Sequence, residues 1–238
     1  MNSKEANKEQ TEISVIGSGI AGITTAYHLG NKGYKINLID QTVNLGFSNF
    51  NPKNGTQASL GVLMGNIYKR SQGRAFSLRN KSMQLWKEWL SQINLFEDDS
   101  IFKKPLIKLA TGEKDYQSML KIHNKKKGYG IELLDKNSLE FWNSIFETKL
   151  IGGLISHADG RLNPLKLINS LMKSLDLIKV NKIDKNVITI KKNNLCSKLW
   201  NIKLEDSQSI NTDHIVICSA LDTTKLLEPL GHEILLEP

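Results

Sequence analysis

A chain of 238 residues with 39% apolar and 24% charged residues is long enough to bury a sizeable core and has an ordinary globular composition. Its formal charge of +8 comes mostly from lysines scattered among asparagines, and the densest run, Lys125-Lys126-Lys127, lacks aromatics for base stacking, so it reads as solvated surface with no nucleic-acid partner. Two unpaired-spacing cysteines, Cys196 and Cys218, exclude a disulfide scaffold and fit a reducing cytoplasm; a polar opening (MNSKEANKEQT) and the lack of a long apolar run argue against a secretory signal and a membrane span.

Residues 12–16 (EISVI) predict a buried strand entering a glycine loop, and 20–31 predict a helix with Ile20, Ile23, Ala26 and Tyr27 on related faces. Gly33 suits the left-handed position past its end. Residues 35–40 (KINLID) predict a second, parallel strand, which completes a β-α-β unit. Residues 42–66, rich in Asn, Gly, Ser and Thr, read as a long functional or disordered loop. Leu78, Met83, Leu85, Trp86, Trp89 and Leu90 predict a helix over 76–95 with core Met and Trp. A strand is expected over 105–111, helices over 114–127 and 137–146, and a strand over 150–156. Asp159-Gly160 reads as a turn, and Asn163 as the cap of a helix opening at Pro164 and running to Leu175. Short β-like runs follow at 187–191, 198–204 and 213–218.

The three glycines of the loop Gly17-Ser18-Gly19-Ile20-Ala21-Gly22 have separate physical reasons. Gly17 permits the tight turn out of the strand, Gly19 lets a pyrophosphate approach the backbone, and Gly22 lets the helix pack closely on the strand. Phosphates at this helix N-terminus meet free N–H groups and a favourable dipole. Asp40, followed by Gln41, ends the second strand; its carboxylate suits ribose hydroxyls and repels a 2′-phosphate. This unit predicts dinucleotide binding without choosing between FAD and NAD. His28, His123, His157, His214 and His232 are isolated and read as structural or surface residues, and no cluster has metal-ligand spacing. Arg70, Arg74 and Arg79 read as solvated rather than as a patch for an anionic substrate.

Over most of its length, from about Glu12 to Pro238, the sequence resembles the FAD-dependent D-amino-acid oxidase superfamily, most of all its glycine oxidase and sarcosine oxidase type. VIGSGIAGITTAYHLGNKGYKINLID is similar to the opening FAD motif, and TQASLGVLM to the loop beside the flavin ring. ADGRLNPLKLINSL resembles the D-G-x-x-(D/N)-P turn and helix, DHIVICSALDTTKLLEPLG the V-V-x-A-x-G-x-x-S strand and turn, and EILLEP the entry into a substrate-domain strand. Asp40 stands where the family usually has Glu, and Ala220 where it usually has Gly.

The resemblance implies an α/β fold: a doubly wound, Rossmann-like FAD-binding domain interrupted by an α+β substrate domain. The FAD-binding parts are expected over 1–82 and 158–226, and the substrate parts over 83–157 and, truncated, 227–238. It implies FAD as cofactor, with contacts from the glycine loop, Asp40, Gln41, Ser59 in the flavin-side loop, Val187 at the adenine, and Ser219 and Ala220. The implied reaction is oxidation of the C–N bond of a small amino acid or amine by hydride transfer to flavin, with dioxygen or another acceptor taking the electrons. No catalytic acid or base is assigned, because a neutral amine needs little proton transfer. Family members continue past the point matching Pro238, so the chain is expected to be a fragment lacking the group that holds the substrate carboxylate. The alternatives are an NAD-dependent dehydrogenase and a non-catalytic partial FAD-binding fragment.

Overall fold

The computed structural model describes residues 10–44, 55–68, 72–93, 102–193, 197–234 and 236; Arg70 and Cys196 lie outside them. The chain forms two compact units, Met1–Ala58 with Ile168–Pro238, and Ser59–Leu167.

The first unit opens with β1 (Glu12–Ile16), α1 (Ile20–Asn31) and β2 (Lys35–Ile39). The helix has its expected bounds, and Gly33 adopts φ +87° just beyond it. The second unit contains β3 (Val62–Leu63), α2 (Arg74–Ile93), β4 (Phe102–Lys103), β5 (Leu106–Ala110), α3 (Glu113–Lys125), β6 (Ile131–Leu133), α4 (Lys136–Ile145), β7 (Gly152–Ser156) and β8 (Gly160–Leu162). The division then falls within α5 (Pro164–Leu177), whose fourth residue is Leu167. Asn163 caps it as expected, its Oδ1 accepting the Lys166 N–H at 3.2 Å. β9 (Asn181–Ile183), β10 (Val187–Lys192), β11 (Trp200–Leu204), β12 (Ser209–Thr212), β13 (His214–Ile217) and α6 (Thr223–Leu227) belong to the first unit.

The first unit is built on a parallel sheet of order β13-β1-β2-β9. Four consecutive buried residues in β1 and in β2 mark strands covered on both faces. Helix α1 packs on both strands. Ile16 and Ile39 share a core with Val187, Ile190, Ile202 and Leu204 of the antiparallel meander β10-β11-β12, and with Leu226 of α6. The chain leaves β1 towards β2 on one side, while β13 pairs on the other. The carboxyl ends of β1 and β13 therefore flank a topological switch point, where α/β sheets bind ligands.

The second unit has two antiparallel sheets, β3-β8-β4 and β5-β7-β6. Ala110, Met119, Ile122, Ile131 and Leu154 form its core with Ile67. Trp86 and Trp89 of α2 meet edge to face at 5.5 Å. The Asp159-Gly160 pair is not a free turn. Gly160 begins β8, where an added Cβ would lie 2.5 Å from the Lys103 carbonyl oxygen. Asp159 is fully buried, and its carboxylate accepts the N–H groups of Gly65, Asn66 and Ile67. Lys126, expected on the solvated surface, is 3% exposed and donates to the carbonyl oxygens of Asn66 and Tyr68, each at 2.7 Å.

Candidate functional site

The glycine loop follows from the backbone it must adopt. Gly17 has φ +105°, and a Cβ there would lie 2.5 Å from the Cys218 carbonyl oxygen. At Gly22 a Cβ would lie 1.8 Å from the Gly17 carbonyl oxygen, so only glycine lets α1 start this close to its own turn. Gly19 differs: its added Cβ would meet only the Thr56 hydroxyl, at 3.3 Å. The first intrahelical bond runs from the Ile23 N–H to the Gly19 carbonyl. Ile20 donates to Thr56 Oγ1 at 2.9 Å; the Ala21 and Gly22 amides, in the first turn, have no intrahelical acceptor of their own.

The loop opens on a cleft of about 710 Å³ inside the first unit. Its floor is Ile16, Gly17, Gly19, Ile20 and Ala21; one wall is Ile39, Asp40, Gln41 and Thr42; another is Lys185, Asn186, Val187 and Ile188; a fourth group is Cys218, Ser219, Ala220 and Leu226. Thus the structure brings Gly17, Gly19, Ile20, Ala21, Asp40, Gln41, Val187, Ser219 and Ala220 to one concavity. Ser18 and Gly22 lie buried in the loop rather than in the lining; Ser18 donates its N–H to Asp40 Oδ2 at 2.8 Å. Ser59 belongs to the second unit, where its hydroxyl accepts the Gly61 N–H at 3.1 Å.

Asp40 is held from two sides. Oδ2 accepts from Ser18, while Oδ1 accepts both the N–H and the hydroxyl of Thr42, each at 2.7 Å. Ala220 adopts φ +49°, a left-handed conformation that favours glycine. Burial pushes the Cys218 thiol up, outweighing its contact with Thr25, so the thiol is neutral at ordinary pH. At the rim Lys225 pairs with Asp222 at 2.8 Å, and this contact raises the amine above its ordinary value. Lys185 pairs with Asp206 at 3.4 Å.

These features suit a dinucleotide. The cleft has the volume of a small-ligand site. The glycine loop brings a helix start to the cleft, with the Thr56 hydroxyl beside Gly19, and the chain presents a carboxylate for ribose. Sequence reading missed Thr42, Thr56, Lys185, Asn186 and Lys225. Thr42 carried a signal, since an Asp followed two residues later by a backbone donor is an Asx turn. Thr56 lies far along the chain, and its contact needed the folded loop. Among the described residues no group of His, Cys, Asp or Glu forms a metal cage, and no helix is long and apolar enough to cross a membrane.

Residues 12–238 match the family described as DAO, FAD dependent oxidoreductase. No curated protein matches the chain. Among solved structures it is similar to glycine oxidase from Bacillus cereus ATCC 14579, at 18% identity and TM-score 0.74, over 92% of this chain and 58% of that one. It is similar to iminodiacetate oxidase from Chelativorans sp. BNC1, at 16% identity and TM-score 0.74, over 92% and 58%. L-proline dehydrogenase from P. horikoshii gives 17% identity and TM-score 0.71, over 96% and 58%. At such identities the likeness is one of fold, and the chain spans 58% of the length of each.

Proposed function

From a chain that belongs to the DAO family of FAD dependent oxidoreductases, we propose an FAD-binding unit of an enzyme that oxidises the C–N bond of a small amino acid or amine. The observation that carries this reading is the cleft, which gathers the glycine loop, Asp40, Val187 and the 218–220 turn within one unit of a chain matching that family. There the start of α1, with Gly19 and the Ala21 amide, would hold the pyrophosphate. Asp40 holds the adenosine ribose, and Val187 lies at the adenine. Ser219 and Ala220 would border the cofactor.

The chemistry supplied by a bound flavin is acceptance of a hydride from the carbon bearing the amino group. This chain's residues would bind and orient: its glycines would admit the phosphates, its amides would donate hydrogen bonds to them, and its carboxylate would hold the ribose. Cys218, neutral and half-buried, is no nucleophile in this scheme. The electron acceptor is dioxygen or another oxidant, and oxidase and dehydrogenase names both occur among the similar structures.

The test is to purify the protein, record its flavin absorbance, and follow substrate loss and hydrogen peroxide with glycine, sarcosine and several D-amino acids. A flavin spectrum, with FAD released on denaturation, is expected. A colourless protein that binds NADH and not FAD would replace this reading with an NAD-dependent dehydrogenase.

A further inference from the structure

We propose that Thr42 is a specificity residue of the cleft, reading one hydroxyl of the adenosine ribose while Asp40 reads the other. The proposal rests on the dinucleotide reading above and follows from counting donors and acceptors at two side chains.

An ionised carboxylate offers about four lone-pair positions and no proton. Three donors already approach Asp40: the Ser18 N–H on Oδ2, and the N–H and hydroxyl of Thr42 on Oδ1. Oδ1 is filled. Among the described residues Oδ2 has one partner, so Asp40 keeps room for one further donor. A ribose diol presents two donors. The second needs another acceptor, and that acceptor stands beside Asp40. The single hydroxyl proton of Thr42 is committed to Asp40 Oδ1, which turns the oxygen of Thr42 into a pure acceptor. Both residues line the same cleft. One ribose hydroxyl therefore donates to Asp40 Oδ2 and the other to Thr42 Oγ1.

The arrangement depends on the length of the acid. Asp40 directly follows β2, and its short side chain closes an Asx turn onto residue 42 while its other oxygen reaches back to Ser18. The Val43 N–H, bonded to the Asp40 carbonyl at 3.1 Å, and the buried Val43 side chain lock the turn.

The probes are ADP, 2′-deoxy-ADP and 3′-deoxy-ADP, competed against FAD on the full chain and on two variants. Thr42→Val keeps the N–H and the shape but removes the hydroxyl; Thr42→Ser keeps the hydroxyl. The expected result is that Thr42→Val binds ADP about five- to tenfold more weakly, the effect of one neutral hydrogen bond. Thr42→Ser binds like the parent. The signature is that one deoxy analogue, the one lacking the hydroxyl that Thr42 accepts, binds the parent and Thr42→Val equally, while the other loses as ADP does. Equal losses on all three ligands would mean that Thr42 only shapes the turn, and unchanged ADP binding would mean that it reads nothing; either overturns the proposal alone. A parent chain that binds neither FAD nor ADP overturns the dinucleotide reading, and the proposal with it.

Discussion

Asp159 and Lys126 grip the same turn by its two kinds of peptide group. The carboxylate of Asp159 accepts the N–H groups of Gly65, Asn66 and Ile67, while the ammonium of Lys126 donates to the carbonyl oxygens of Asn66 and Tyr68. Both side chains are almost wholly buried. Burial pushes the Lys126 amine below its ordinary value, and the Asp159 charge offsets part of that. Such burial is tolerated because N–H groups meet the carboxylate and carbonyl oxygens meet the ammonium.

The pair therefore sets a steep penalty for removing one member. Asp159→Asn places an amide donor against backbone donors and leaves Lys126 without its counter-charge. We expect a loss of about 1–3 kcal/mol from the second unit, the scale for leaving a buried donor without its acceptor. Urea denaturation followed by tryptophan fluorescence reads it, because Trp86, Trp89 and Trp142 all belong to that unit. Lys126→Met in the Asp159→Asn background should cost less than it does alone; additive costs would show that the two residues act independently.

Much of the first unit was legible because its rules are local. The strand, glycine loop, helix and second strand over residues 12–40 follow from periodicity and from backbone needs at Gly17, Gly22 and Gly33, and α1 has its expected bounds. The short strands β3, β4, β8 and β9 were not legible. Two or three residues hold no period, and each exists because a distant partner completes its ladder, as Val62 opposite Arg161 and Asn37 opposite Asn181 do. Lys126 misled for a related reason. Within Lys125-Lys126-Lys127 nothing local marks the middle residue, and only the carbonyls of Asn66 and Tyr68 make it an interior cation. At the candidate site the loop and Asp40 were readable, whereas Thr56, thirty-six positions from Ile20, needed the fold.

Two glycines of the loop should separate folding from binding. Gly22→Ala forces a methyl to within 1.8 Å of the Gly17 carbonyl oxygen, so the start of α1 must move and the first unit loses its cooperative transition. Gly19→Ala meets only the Thr56 hydroxyl at 3.3 Å, which a small shift relieves. That variant should keep the parent's circular dichroism and melting point but lose more than about tenfold in FAD affinity, a cost of about 1.4 kcal/mol, because its methyl would take space proposed for the phosphate. Unchanged affinity would remove the pyrophosphate from this loop.

Ala220→Gly is expected to stabilise the protein. The cleft wall demands φ +49° there, and an alanine in the left-handed region is strained by about 1–2 kcal/mol relative to its usual conformations. Glycine relieves the strain and gives back part of the gain through its looser unfolded chain. A net gain of up to about 1 kcal/mol raises the melting point by roughly 2–4 °C in a protein of this size. A lower melting point would mean that the Ala220 methyl makes contacts worth more than the strain.

Acid should weaken the edge where β1 starts. Asp213 Oδ2 accepts the Lys198 ammonium and the Glu12 N–H, each at 2.8 Å, tying the start of β1 to the turn between β12 and β13. The Lys198 hydrogen bond, then that of Glu12, holds the carboxyl below its ordinary value of 3.8. In the folded state it thus releases its proton more readily than in the unfolded one. The unfolded chain binds more protons as the pH falls, so the stabilisation is complete above 3.8 and is lost as the pH drops through the lower folded value. Asp213→Asn keeps an oxygen for the Glu12 amide but has nothing to titrate. The free-energy difference between parent and variant should be constant near neutrality and shrink below 3.8. A difference that stays constant into that acid range would show that Asp213 titrates alike in both states and that Lys198 does not stabilise its charge.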